Sequence, residues 1–246
     1  MTTGGVATGR HLVIMLRAPL AGRVKRRLAA GIGEVQALAF YRRTVRDLLR
    51  GTGRDPRWTT WLAVTPDEFA ATGRHGKARF WPAALPRLPQ GGGDIGRRMA
   101  RPFRILPAGP VLVIGSDIPA VGPAHIARAF RALGRAELVF GPATDGGYWL
   151  VGMRGRARRL DPFAGVRWSG PDALADTLER VPAGYRVAMA DRLEDVDDAA
   201  AWRRWRNAQR GRAGDAAGGG AANGATISAI SGRASSTSMP GRSRRS

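Results

Sequence analysis

The sequence predicts an α/β domain built on a largely parallel sheet, and three observations carry that reading. Between residues 11 and 210, short aliphatic runs alternate with amphipathic segments, the pattern of strands covered by helices. Hydrophobic residues make up 43% of the chain and charged residues 24%, which excludes a collagen-like, wholly disordered or membrane-embedded protein. No internal repeat of the size a solenoid needs is present. With 246 residues, the chain accommodates one domain with extensions. We place a flexible N-terminus at 1–10, the domain at 11–210, and a disordered basic tail at 211–246. That tail is rich in Gly, Ala and Ser and poor in large apolar groups.

The elements follow from periodicity. A first strand at about His11 to Leu16 leads into a basic loop containing glycine, then a helix from Glu34 to Arg50 with Val35, Leu38, Val45, Leu48 and Leu49 near helical spacing. Strands are expected at Trp58 to Val64, Ala78 to Trp81 and Val111 to Gly115, with a helix from Ile95 to Leu106 before the last. Strands at Glu137 to Phe140 and Tyr148 to Gly152 flank an Asp145-Gly146-Gly147 turn. Helices at Pro171 to Arg180 and Ala199 to Gln209 complete the domain.

Composition also bounds the chemistry. The aliphatic runs fall short of the roughly 20 apolar residues a membrane helix needs, and MTTGGVATGR lacks the apolar core of a signal peptide, so a cytoplasmic protein with no membrane partner is expected. Without cysteine there is no thiolate chemistry, and His11, His75 and His125 show no ligand spacing. A metal would therefore sit on carboxylates, which suits Mg2+ or Mn2+. The net charge of +21 favours anionic partners, yet Lys25 and Lys77 are the only lysines and the arginines are scattered rather than striped. Small phosphate-bearing substrates therefore rank above nucleic acid.

In parallel α/β sheets ligands collect at the carboxyl ends of strands. The first such end carries Arg17, Ala18, Gly22, Arg23, Lys25, Arg26 and Arg27 within eleven residues, a cationic loop suited to a di- or triphosphate, or else a solvated surface loop. The second, Gly115-Ser116-Asp117-Ile118-Pro119, delivers a carboxylate on a strand tip, fit for a divalent cation or for a turn. Asp145 occupies a glycine-flanked turn. Asp197 is a second metal candidate, within an acidic run that equally suits helix capping. Gln90, Gly93 and Asp94 belong to a glycine-rich loop that could meet a base or phosphate, or serve as a linker with Asp94 as helix cap. Trp168 and Ser169 face either a substrate or the core.

Six ordered blocks then carry a resemblance. They are Ala18-Pro19 with Gly22 and Lys25-x-Arg27-Leu28; Gln90-x-x-Gly93-Asp94-Ile95-Gly96-x-Arg98-Met99; Gly115 to Pro119; Gly141-Pro142-Ala143-x-Asp145-Gly146-Gly147-Tyr148-Trp149-Leu150; Trp168-Ser169; and Asp195-Val196-Asp197. Over about residues 11 to 205 the chain resembles the bacterial radical-SAM/selenodomain-associated transferase 1 family, which is similar in turn to 2-phospholactate guanylyltransferase. The resemblance implies a three-layer αβα sandwich with a mixed, mostly parallel sheet, the nucleotide-diphospho-sugar transferase or glycosyltransferase A fold. It implies that the Gly22 to Arg27 loop cradles phosphates, that the Gln90 to Gly96 loop faces the base, and that Asp117 holds the metal with Asp145 or Asp197 assisting; Arg17, Ala18, Gly22, Arg23, Lys25, Gln90, Gly93 and Asp94 are the nucleotide-binding candidates. Where that family usually has Lys-x-Pro and Lys-Thr-Arg-Leu, this chain has Arg17 and Arg26.

The resulting expectation is a metal-dependent nucleotidyltransferase using a nucleoside triphosphate and a small phosphorylated or hydroxylated acceptor, with Lys25, Arg27, Asp117 and Asp145 catalytic and Asp117 and Asp197 on the metal. The alternatives are a glycosyltransferase with a nucleotide-sugar donor and, from another class, a nucleic-acid-binding protein.

Overall fold

The strand β1 (His11–Arg17) is the axis of the molecule because both of its faces are apolar: Leu12, Val13 and Ile14 are completely buried. A strand buried on both faces needs covering layers above and below, as parallel α/β sheets have. In the computed structural model, which describes residues 9–75 and 78–218, β1 pairs in parallel with β2 (Thr59–Thr65) on one side and β6 (Val111–Ile114) on the other. The edge beyond β2 is β5 (Arg87–Pro89), also parallel. Beyond β6 the direction reverses through β8 (Tyr148–Met153) and back through β7 (Leu138–Pro142), which β9 (Val187–Met189) follows in parallel. The seven-stranded order is β5-β2-β1-β6-β8-β7-β9, a mixed, mostly parallel sheet as the sequence predicts.

Alternation along β1 divides the core into two layers. Leu12, Ile14 and Leu16 pack with Tyr41, Val45 and Leu48 of α2 (Glu34–Gly51) and Ile126 and Phe130 of α5 (Pro123–Ala132). Val13 packs on the opposite face with Met99, Ala100 and Phe103 of α4 (Ile95–Ile105) and with Phe163. This gives the expected αβα sandwich. Each fully buried Leu, Ile or Phe side chain here contributes about 1.5–3 kcal/mol of hydrophobic stabilisation before its ordering entropy is counted.

Several elements depart from the expectation. Residues after Ala78 do not join the main sheet: β4 (Ala78–Arg79) pairs with β3 (Arg74–His75) in a separate two-stranded ribbon. The edge position goes to β5, where Pro86 before the strand and Pro89 at its end hide a strand that only an edge tolerates. The basic loop contains a helix, α1 (Arg26–Ile32), with Leu28 its one buried side chain. Helix α5 and strand β9 go unpredicted, as does a short 3-10 turn at Gly155–Arg159. Helices α3 (Glu68–Thr72) and α6 (Ala173–Glu179) are short.

The chain divides after Trp205. Helix α7 (Ala199–Gly218) extends past Gln209, where the sequence suggested its end. Residues 1–8 of the N-terminal segment and 219–246 of the tail lie outside the described residues. Among the described residues no helix is long and apolar enough to cross a membrane.

Candidate functional site

The sheet order fixes where chemistry can gather. The chain leaves β1 toward β2 and β5, then returns to β6 on the other side, so the carboxyl ends of β1 and β6 border a topological switch point. Asp117 stands three residues beyond β6 at that point, and the Arg17–Lys25 loop follows β1.

Lys25 is the centre of the arrangement. It caps α1 in the left-handed conformation, with φ 49° and ψ 48°, a backbone region that costs a non-glycine residue energy and persists only when its surroundings enforce it. What enforces it is visible: Nζ lies 3.1 Å from Asp117 Oδ2 and 2.9 Å from Asp197 Oδ1, with the Lys25 side chain only 4% exposed. Burial by itself pushes the ammonium pKa down, but the two carboxylates and their hydrogen bonds outweigh it, so the pKa is raised and the group stays charged. Arg27 adds a longer contact to Asp197 at 3.8 Å.

A third carboxylate completes the cluster. One oxygen from each of Asp117, Asp195 and Asp197 lies within 4.8 Å of the others. Val196 between the two acidic residues is buried and its N–H donates to the Asp117 carbonyl at 3.2 Å, which locks this segment against the end of β6. Burial, then the negative charges of Asp117, Asp145 and Asp197, push Asp195 up to about 6, with Lys25 opposing. Three hard oxygen donors at this spacing fit a Mg2+ or Mn2+ ion, and Lys25 is the cation such an ion would share them with. Asp195 is the residue that sequence reasoning left out of the metal set. Its signal was the Asp-Val-Asp alternation itself, which puts two carboxylates around one buried residue. The capping role suggested for the acidic run belongs to Asp198, whose Oδ1 accepts from Ala201 N at 2.8 Å.

Two cavities meet at Asp117. The larger, about 470 Å3, is lined by Arg17, Arg23, Lys25, Arg27, Gln90 and Arg98 and reaches Asp117 and Asp197. Its floor is rigid. Tyr41 Oη donates to the Arg17 carbonyl at 2.8 Å and accepts from Arg17 N at 3.0 Å. Gln90 Nε2 donates to the carbonyls of Leu16 at 3.0 Å and Ala63 at 2.9 Å, tying β1 to β2 from below. The smaller cavity, about 210 Å3, holds Asp145 and Asp195 with Tyr148, Trp149 and Trp168, and shares Ile95, Gly115 and Asp117 with the first. A further cavity of about 440 Å3 runs along α2 beneath Arg46 and Arg50; it touches Tyr41 but contains no carboxylate.

Local geometry explains the smaller cavity's shape. Asp145 Oδ1 accepts from Gly147 N at 2.9 Å, closing the turn that the sequence indicated. Gly146 has φ +88°, and a Cβ there would lie 2.0 Å from the Pro171 carbonyl oxygen, so only glycine lets the two loops meet. On the far side Gly96 admits Trp168 and Phe163 against α4: a Cβ would fall 2.7 Å from Trp168 Cζ2. The Trp168 Nε1 atom is buried without a hydrogen-bond partner.

Not every candidate reaches a wall. Ala18 is buried with its N–H donated to the Thr65 carbonyl at 2.8 Å, and Gly22, with φ +66°, lies near the Glu34 carboxylate instead of the cleft. Asp94 caps α4 through a 2.8 Å bond from Arg97 N, and Gly93 accepts from Arg98 Nε at 2.9 Å. Neither Gly93 nor Asp94 lines the cleft. Arg98, which the sequence analysis gave no role, does line it.

The fold is thus a mixed α/β sandwich with a cation-lined cleft and a carboxylate cluster at its switch point. The family described as uncharacterized proteins conserved in bacteria (DUF2064) matches residues 48–170, half of the chain, and the chain belongs to that family. No curated protein matches it in sequence. Among solved structures, a protein from Desulfovibrio desulfuricans G20 provisionally named a nucleotide-diphospho-sugar transferase is 28% identical, with a TM-score of 0.66 over 77% of this chain and 82% of that one. Rv0371c from Mycobacterium tuberculosis H37Rv is 18% identical over 80% of this chain and 97% of that one, with a TM-score of 0.46. The 4-diphosphocytidyl-2C-methyl-D-erythritol synthase of Anaerococcus prevotii DSM 20548 is 9% identical over 79% and 94%, with a TM-score of 0.49. The first of these shares the fold of this chain.

Proposed function

We propose that the protein is a divalent-metal-dependent nucleotidyltransferase, taking a nucleoside triphosphate in the basic cleft and a small phosphorylated or hydroxylated acceptor in the neighbouring cavity. The observation that carries this reading is the meeting of the two cavities at Asp117, where the cations of one side adjoin the carboxylates of the other. The ordered sequence blocks support placing the chain among the radical-SAM/selenodomain-associated transferases, related to 2-phospholactate guanylyltransferase.

In the reaction, an acceptor oxygen forms a bond to the α-phosphorus while the α–β bridging bond breaks and pyrophosphate leaves. Arg17, Arg23, Lys25 and Arg98 bind and orient the triphosphate, and their positive charge stabilises the leaving pyrophosphate. Asp117, Asp195 and Asp197 would hold the metal, which when bound neutralises phosphate charge. Asp145 orients a hydroxyl acceptor and takes its proton. No covalent intermediate with the protein is required.

A second reading, transfer of a sugar from a nucleotide-sugar, is favoured by the name of the 28% identical structure. One experiment separates the two. Melting temperature is measured against nucleoside triphosphates and nucleotide-sugars, with and without Mg2+ or Mn2+, for the wild type and Asp117→Ala, since a ligand of the native state raises stability by mass action. The proposal expects a triphosphate to stabilise the wild type only with metal, and turnover to release pyrophosphate. Stabilisation by nucleotide-sugars alone, with release of a nucleoside diphosphate, selects glycosyl transfer; failure of every nucleotide to bind rejects both.

A further inference from the structure

We infer that the acceptor of the transfer is an uncharged or cationic hydroxyl compound with an apolar portion, and not a phosphorylated one. The inference rests on the proposed transferase reading and narrows it. Among the described residues, the walls of the smaller cavity contain three carboxylates, Asp117, Asp145 and Asp195, and no lysine, arginine or histidine. Lys25 does not line this cavity; it faces the basic cleft, where it pairs with Asp117 and Asp197. The side-chain donors on the walls are neutral: the hydroxyls of Tyr148 and Ser169 and two indoles. One of those indoles, Trp149, already donates to the Asp191 carbonyl at 2.9 Å, and the other, Trp168, is without an acceptor.

A phosphate monoester placed here would bring up to two negative charges beside Asp145, while a divalent ion on Asp117, Asp195 and Asp197 would already be outweighed by those three carboxylates and the bound triphosphate. A hydroxyl compound meets the opposite situation. Its attacking oxygen carries a proton that must leave as the oxygen–phosphorus bond forms, and Asp145 offers a carboxylate whose Oδ1 alone is engaged by the turn. A phosphate acceptor has no such proton to give and no use for that base. The tryptophan and tyrosine faces supply apolar contact, and carboxylates beside aromatic rings suit a cation equally. With a volume of about 210 Å3, below the range typical of drug-sized ligands, the cavity takes a small molecule or the reacting end of a longer one.

The test uses matched pairs, choline with phosphocholine, glycerol with glycerol 3-phosphate, and benzyl alcohol with benzyl phosphate. They are titrated into the full chain with Mg2+ and inorganic tripolyphosphate filling the basic cleft, reading tryptophan emission. The expected result is that the unphosphorylated members bind about 100-fold or more tightly than their phosphates, because like-charge juxtaposition is strongly disfavoured. The response is lost in Trp168→Phe, while Asp145→Lys narrows or reverses the preference. Equal or tighter binding of the phosphates overturns the inference, and so does the absence of a response to every pair. Tripolyphosphate binding is scored separately by melting temperature. Its failure strikes the basic-cleft reading alone, since the pairs are also titrated without it.

Discussion

The two cavities at Asp117 are built from the same strand ends yet differ in almost every physical respect. The cleft beside β1 is walled by arginines and one buried lysine, on a loop that departs from regular geometry at Lys25. The cavity beside β8 is walled by carboxylates and aromatic rings, on turns that depart from it at Ser169 and Gly146. The difference teaches how one carboxylate cluster can border two environments of opposite charge. On the proposed reading, the arginine side would receive the phosphates, and the side containing Asp145 would receive the acceptor hydroxyl.

The largest effect should come from the residue shared by both sides. Asp117→Ala removes a metal-site oxygen and one of the two anchors of Lys25, and is expected to lower turnover by about 100-fold or more. It should also abolish metal-dependent stabilisation by triphosphate in a melting experiment. If Asp117→Ala binds and turns over like the wild type, the two cavities do not share a reaction centre.

The next pair of variants separates the sides. Asp145→Asn, which preserves the turn while removing the base, should reduce turnover of a hydroxyl acceptor by roughly 100-fold, within the usual range for a general base. Triphosphate affinity should be unchanged. Lys25→Ala should do the reverse, weakening triphosphate binding by about 10-fold or more through loss of a charge-assisted contact. Affinity for the acceptor should remain. Calorimetric titration of each ligand into each variant checks the split, and a variant that weakens both ligands equally would erase the distinction drawn between the cavities.

Much of this was legible in the sequence because the relevant signals are local. The aliphatic run ending at Asp117 reads as a buried strand delivering a carboxylate, and the glycine turn at Asp145 reads as a turn. The structure brings Lys25, Asp117 and Asp197 into direct contact across more than 170 residues of chain, a pairing no local pattern encodes. The edge strand β5 escaped because prolines bracket it and the tail of the ribbon before it looks more strand-like than it is. Helix α1 escaped because its cationic residues mask a single buried leucine. Asp94 shows the converse: a residue that suits a base-binding loop equally well is occupied as a helix cap.

A subtler variant probes how the acceptor side keeps its shape. Gly96 is buried at the start of α4, and an added methyl would fall 2.7 Å from Trp168 Cζ2, 2.8 Å from Phe163 Cβ and 3.1 Å from the Phe163 carbonyl oxygen. Backbone cannot yield as a flexible side chain does, so Gly96→Ala should cost about 1–3 kcal/mol of stability, as overpacking does. It should also raise the KM for acceptor more than that for triphosphate, because Trp168 lines only the smaller cavity. Denaturant unfolding and steady-state kinetics read the two effects. Unchanged stability would mean that this wall is loose.

The smallest expected effect concerns the clamp behind that wall. Arg167, adjacent to Trp168, binds Asp176 at three points: Nη2 to Oδ1 at 2.7 Å, Nε to Oδ2 at 3.0 Å, and its backbone N–H to Oδ2 at 2.9 Å. The Arg167 side-chain hydrogen bonds, then the backbone one, hold the Asp176 pKa down at about 2. A carboxyl whose folded pKa is depressed contributes stability that is present above its unfolded value, roughly 4, and lost as pH falls from there through about 2. Melting temperature should therefore drop across that window in the wild type, with a shallower drop in Asp176→Asn, which has no such proton to take up. The basic cleft has a clamp of its own, Lys25 between Asp117 and Asp197, whose lysine carries a raised pKa and stays charged throughout the acid range. Identical acid slopes in the wild type and Asp176→Asn would show that the clamp does not set the acid stability of the acceptor side.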